Sequence, residues 1–255
     1  MELLALAKAA ALAAGRLQRE YFDKNIEVKR KGEIDLVTEV DIKSEALIVS
    51  LLKTSGIPIL AEEQAKTEPK GRYWLVDPLD GTTNYAHHFP WFAPSIALME
   101  DKEPVLGVIY HVMLDELFWA EKEKGAFLNG RQINVSQVAK LNDAVLATGF
   151  PYGVHDQPEK VVGAFHDFLI KAQGVRRAGA AALDLAYVAC GRFDGFWEPL
   201  LKPWDTAAGI LLVKEAGGRV TNYRGEAYDP FQNNILASNG LIHEEMIPIA
   251  SKYVP

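Results

Sequence analysis

The chain has 255 residues, 49% hydrophobic and 24% charged, enough to bury a sizeable core as one globular unit without covalent staples. Its 34 acidic and 27 basic residues leave a net charge of −7, which argues against a surface built to grip a nucleic-acid backbone and suits the recruitment of divalent cations. The single cysteine, Cys190, excludes an intramolecular disulfide and any thiolate metal cage, and fits a reducing, cytoplasmic setting.

At the N-terminus, "MELLALAKAAALAAG" carries a cleavage-like Ala11-Leu12-Ala13, but Glu2 and Lys8 break the pattern of a signal peptide. Leu3, Leu6, Ala10, Ala13, Leu17 and Tyr21 share one helical face, so an amphipathic first helix is predicted. No stretch approaches membrane-spanning length. A short strand over 25–30 leads into a charged loop over 29–35. A helix over 39–55, a buried strand over 57–63, a polar stretch over 64–72 and a strand over 73–77 follow. Strand-like runs at 93–100, 103–112 and 115–122, with Asn129-Gly130 as a hairpin turn, predict an antiparallel sheet. From residue 144 the pattern alternates: strands at 144–150, 174–179, 192–198 and 233–239, helices at 158–172, 180–190, 204–216 and from 243. An antiparallel half (1–142) joined to an alternating half (143–255) in one domain predicts a layered α+β fold.

The chemistry concentrates in acids at element ends. In "WLVDPLDGTTN", Asp77 and Asp80 flank Pro78 and Leu79 and precede Gly81, Thr82 and Thr83. Proline removes a ladder donor, so the strand is expected to stop there and turn. Glycine permits a backbone that others avoid. Both carboxylates and the Leu79 carbonyl can then face one side, an all-oxygen set suited to Mg²⁺. The threonines open a turn whose N–H groups suit phosphate. A plain surface turn has the same composition. Further acids tip the balance: Glu62 and Glu63 end the strand "ILAEEQ", Asp205 sits in the first turn of the helix after "KPW", and Asp41 opens the second helix. The last two also suit helix caps. The pair His87-His88 lacks a third ligand. No Walker A loop, dinucleotide fingerprint or nucleophile elbow is present.

Taken together, "AEEQ", "WLVDPLDGTTNY" and "PWDTAAGILLVKEAGG" resemble the inositol monophosphatase family of magnesium-dependent, lithium-sensitive phosphatases, over nearly the whole chain. The first motif is similar to W-x-x-D-P-[IL]-D-G-T-x-N and the second to W-D-x-x-A-x-x-x-x-x-x-E-A-G-G. The resemblance implies an α/β/α/β/α sandwich of the inositol monophosphatase and fructose-1,6-bisphosphatase type, a homodimer, and two or three Mg²⁺ ions. Carried residue by residue, Glu62, Asp77, the Leu79 carbonyl, Asp80 and Asp205 would bind metal. Asp80, Gly81, Thr82 and Thr83 would surround the phosphate, while Gly179, Ala180, Glu198 and Asp205 would contact the alcohol. Asp41 would hydrogen-bond Thr82, and Thr82 with Glu62 would orient the attacking water. Asp205 would also serve the leaving group. The 29–35 loop, with Lys31 and Asp35, resembles a segment associated with a weaker metal. Ala61 replaces a frequent glycine, and Lys202-Pro203 a common His-Cys.

The implied reaction is hydrolysis of a small phosphorylated polyol or sugar, first inositol 1-monophosphate, by direct attack of metal-activated water. Arg177 and Lys202 suit a second anionic group, so a fructose-1,6-bisphosphatase or dual sugar phosphatase is the alternative. A regulatory binding protein retaining the cleft, and a metal-independent glycosidase pair, stay open. Neither membrane nor nucleic acid is an expected partner.

Overall fold

In the computed structural model, residues 2–24, 26–30, 36–64, 70–151, 153–156 and 158–255 are described; Lys31 and Asp35 lie outside them. Helix α1 (Leu3–Tyr21) buries Leu4, Ala7, Ala11, Ala14 and Gln18, with Leu6, Ala10 and Gly15 beside them. This face is rotated from the predicted one, and Leu3, Ala13, Leu17 and Tyr21 are only half-buried. The alanines explain the rotation, because their small side chains let the helix axis come close to the sheet. Strands β1 (Val28–Arg30) and β2 (Leu36–Thr38) pair antiparallel, so the first strand is shorter than 25–30. Thr38 then caps α2 (Glu39–Leu52), which closes in a 3₁₀ turn over Lys53–Ser55 and not as α-helix to 55.

The first sheet is a meander of β3 (Ile59–Ala61), β4 (Arg72–Asp80), β5 (Ala93–Glu100), β6 (Glu103–His111), β7 (Glu116–Glu121), β8 (Ala126–Leu128) and β9 (Arg131–Ile133), in that spatial order. Only β3 and β4 pair parallel. Asn129 and Gly130, at φ 48° and 80°, form the predicted two-residue turn between paired Leu128 and Arg131. The short helix α3 (Thr82–Ala86) follows β4 directly.

The strand β4 does not stop at Pro78. Asp77 pairs with Ser95 and Asp80 with Ala93, so Pro78 and Leu79 together stand opposite the single residue Pro94. This β-bulge absorbs the proline, since a bulged residue needs no ladder donor. The expectation of a stop was wrong because it considered one strand without its neighbour.

The second sheet is mixed, in the order β11-β10-β12-β14-β13. Its strands are β10 (Val145–Thr148), β11 (Gly174–Arg176), β12 (Gly195–Pro199), β13 (Arg219–Thr221) and β14 (Asn234–Ser238). Helices α4 (Pro158–Leu169), α5 (Ala181–Ala189), α6 (Pro203–Glu215) and α7 (His243–Ala250) complete the chain. Strand β13 was not among the strands predicted from the sequence.

Helices α1 and α2 cover the outer face of the first sheet, α5 and α6 fill the space between the sheets, and α4 with α7 cover the second. This is the α/β/α/β/α sandwich. Helix α6 is buried from Thr206 through Val213, as a helix between two sheets must be. It packs so tightly on β6 that a Cβ on Gly107 would lie 2.9 Å from the Ala208 carbonyl oxygen. Among the described residues, no helix is long and apolar enough to cross a membrane.

Candidate active site

Parallel pairing of β3 with β4 sets Ala61 beside Val76, so Glu62, just past the end of β3, and Asp77, within β4, lie at the same level on neighbouring strands. The bulge then carries Leu79 and Asp80 to the same edge. Gly81 follows at φ 94°, and a Cβ there would meet the Trp91 carbonyl oxygen at 2.9 Å; both facts demand glycine. From the opposite wall come Gly179 and Ala180 before α5, Glu198 on β12, and Asp205 in the first turn of α6. Glu62, Asp77, Leu79, Asp80, Gly81, Thr82, Thr83, Gly179, Ala180, Glu198 and Asp205 all line one cleft of ≈ 590 Å³, together with Arg177 and Lys202. Asp41 stands behind it, 1% exposed, and reaches the site through Thr82.

Backbone donors hold the acids in place. Leu79 N–H donates to Asp77 Oδ1 at 2.9 Å, and Ala182 N–H donates to Asp80 Oδ2 at 2.7 Å. Lys202 N–H donates to Asp205 Oδ2 at 2.8 Å, so Asp205 does serve the helix terminus. Asp41 completes a capping box with Thr38, and its Oδ1 accepts the Thr82 hydroxyl at 2.7 Å. Asp80 therefore also ties the first sheet to α5, a link across the middle layer.

Like charge is concentrated here. Burial raises the Asp77 carboxyl well above its ordinary range, and Glu62, Asp80 and Asp205 push it further the same way. Asp80 is raised by burial and then by Asp205, against the Ala182 N–H. Glu198 is raised by burial, then by Asp184 and Asp205, with Arg177 opposing. Among the described residues, no three acids, histidines or cysteines stand preassembled around one point. Carboxylates that repel each other and are each drawn onto a backbone N–H have reason to stay apart. An all-oxygen donor set whose strongest electrostatic neighbours are negative fits a hard divalent cation, which would relieve the repulsion.

Four supporting residues were not found from the sequence. Asn84 donates to the Trp91 and Ala178 carbonyls at 2.8 and 2.9 Å, joining the α3 turn to the loop before α5. It lies inside the quoted motif, where an asparagine after two threonines was the available signal. Glu45, on the face of α2 that bears Asp41, accepts the Glu63 N–H at 2.7 Å and thereby fixes the turn that carries Glu62. Asp184 is fully buried, with neither oxygen hydrogen-bonded among the described residues; burial and Asp80 raise its carboxyl, and Arg177 opposes them. Gln18 is the fourth. Of the two histidines, His88 Nδ1 meets the Phe22 carbonyl at 2.6 Å and holds a loop.

The comparisons with known proteins agree with this architecture. An inositol-1-monophosphatase of Caulobacter vibrioides is 42% identical over 248 residues, covering 94% of this chain and 97% of its own. A fructose-1,6-bisphosphatase/inositol-1-monophosphatase of Aquifex aeolicus is 38% identical, covering 98% and 96%. The Nus factor SuhB of Escherichia coli is 39% identical, covering 96% and 94%. The crystal structure of the extragenic suppressor protein suhB from Bartonella henselae superposes with a TM-score of 0.92 at 41% identity, over 100% of both chains. With the family's sequence pattern matched over residues 1–254, the chain belongs to the inositol monophosphatase family.

Proposed function

We propose that this protein hydrolyses the phosphate monoester of a small polyol, inositol 1-monophosphate first, with Mg²⁺ as cofactor. The observation that carries this reading is the meeting of Glu62, Asp77, Asp80, Asp205 and the Leu79 carbonyl on one cleft beside the hydroxyls of Thr82 and Thr83. Those five residues would hold the metal. When bound, Mg²⁺ neutralises phosphate charge, lowers the pKa of water and stabilises a leaving oxygen. Thr82 gives its single proton to Asp41, which turns its oxygen lone pairs into acceptors for the attacking water. Glu62 accepts the second proton of that water. Gly81, Thr82 and Thr83 donate to the phosphate oxygens. Glu198 accepts a hydroxyl of the alcohol, and Gly179 with Ala180 offers it a backbone edge. Inhibition by lithium and a homodimeric state belong to the same reading.

Two further readings have specific support. Arg177 and Lys202 line the cleft, and the Aquifex aeolicus relative bears both activities in its name, which favours a second substrate, fructose 1,6-bisphosphate. The Nus factor name of the Escherichia coli relative supports a regulatory protein that keeps the cleft.

A panel of inositol 1-monophosphate, fructose 1,6-bisphosphate and simple phosphate monoesters, with Mg²⁺ and with EDTA, separates these. Turnover that EDTA abolishes and Mg²⁺ restores is expected. Turnover that survives EDTA would overturn the metal assignment, and silence on every ester would favour the regulatory reading. Glu198→Gln is expected to shift the inositol-to-fructose preference by about tenfold, since the uncharged amide accepts a hydroxyl proton less strongly. An unchanged ratio would remove Glu198 from substrate recognition.

A further inference from the structure

Helix α1 places a carboxamide where its neighbours are alanine and leucine. Gln18 is fully buried on the face formed by Ala7, Ala11 and Ala14. Its Nε2 donates to the Pro78 carbonyl at 2.7 Å and to Ser44 Oγ on α2 at 3.2 Å, while its Oε1 is buried without a hydrogen-bond partner among the described residues. The flipped amide would set Oε1 against a carbonyl oxygen, so the donor orientation is the one the surroundings allow. The Tyr85 hydroxyl donates to the Gln18 carbonyl at 2.7 Å, fixing this turn of α1 to α3.

The consequence lies in the peptide that Gln18 touches. The Pro78 carbonyl and the Leu79 N–H belong to one planar unit. Gln18 holds its oxygen end, and its nitrogen end donates to Asp77 Oδ1 at 2.9 Å. Both residues stand in the bulge, outside the one-to-one register of β4 with β5, where the ladder constrains the tilt of this plane least. With its C=O released, the plane can rotate about the chain and carry the Leu79 N–H away from Asp77. A buried unpaired amide oxygen destabilises the fold, and a methionine would fill the same space without that cost. What the glutamine provides and a methionine would not is the pair of hydrogen bonds to Ser44 Oγ and to the Pro78 carbonyl, and of the two only the second reaches the loop that carries Asp77 and Asp80.

We propose that Gln18 is a positioning residue for metal affinity, acting through the Pro78–Leu79 peptide on Asp77. The inference rests on the function proposed above. The experiment is Mg²⁺ titration calorimetry on the full-length protein and on Gln18→Met, Gln18→Asn and Ser44→Ala. Thermal midpoints are measured in EDTA alongside. Methionine lacks the donor and asparagine is one methylene too short, so each is expected to weaken Mg²⁺ binding about fivefold or more, the equivalent of one buried hydrogen bond. Turnover at saturating Mg²⁺ should stay within about twofold, by the same argument. Ser44→Ala leaves the bond to Pro78 and should bind Mg²⁺ as the parent does. A wild-type affinity in whichever Gln18 variant folds would overturn the proposal, as would a lowered midpoint in EDTA with an unmoved titration, the mark of a purely structural glutamine. An unsubstituted protein that shows no Mg²⁺ binding at all would instead fail the functional reading, and this inference with it.

Discussion

Asp77→Asn is expected to lose about 10³-fold or more in turnover while the fold is unchanged or gains about 1 kcal/mol of stability in EDTA. The two effects share a cause. Asp77 is 2% exposed, and its carboxyl is raised by burial and by Glu62, Asp80 and Asp205. In the metal-free chain it is therefore a source of repulsion, which an amide of the same shape removes. The amide oxygen can still accept the Leu79 N–H, so the bulge keeps its geometry. A neutral amide, however, gives a cation far less attraction than a carboxylate. Urea unfolding in EDTA, with turnover at saturating Mg²⁺, measures both quantities. Near-parental turnover would remove Asp77 from the set proposed to hold the metal.

Thr82→Val is expected to lower turnover by about 10²-fold, with Mg²⁺ affinity held within about threefold. Valine keeps the branched shape in the first turn of α3 but removes the hydroxyl that donates to Asp41 at 2.7 Å. Asp41 keeps its contacts with Thr38 and hence its capping role, so α2 should stay intact. What disappears, on the mechanism proposed above, is the oxygen presented to the attacking water. Steady-state kinetics over a Mg²⁺ series separates the two. A loss that extra Mg²⁺ fully restores would show that Thr82 serves the metal and not the water.

The residues that line the cleft were legible because most belong to a short local pattern. Asp77 and Asp80 share a bend and Asp205 opens a helix, while Glu198 was reached through the family resemblance of its segment. The residues that support them were not. Gln18 and Pro78 lie 60 positions apart, and a glutamine one position beyond the predicted apolar face reads as the edge of a solvated surface. Glu45 and Ser44 were obscured in the same way: a buried polar side chain is identified by its partner, and the partner is set by the fold. Where a local rule spoke alone it could also mislead. Proline ends most strands, yet β4 continues past Pro78, because the bulge opposite Pro94 was invisible without the pairing of β4 with β5.

The hydrogen bonds from Leu79 to Asp77 and from Ala182 to Asp80 have a bearing on ion choice. Each engages a lone pair of its carboxylate, so on the proposed metal assignment both acids would favour contact with an ion through a single oxygen. Calcium accepts wide, seven- or eight-fold shells that grasp both oxygens of an acid, whereas a compact octahedral ion takes them singly. On the metal assignment proposed above, two ordinary amide contacts would tilt the choice toward the smaller ion.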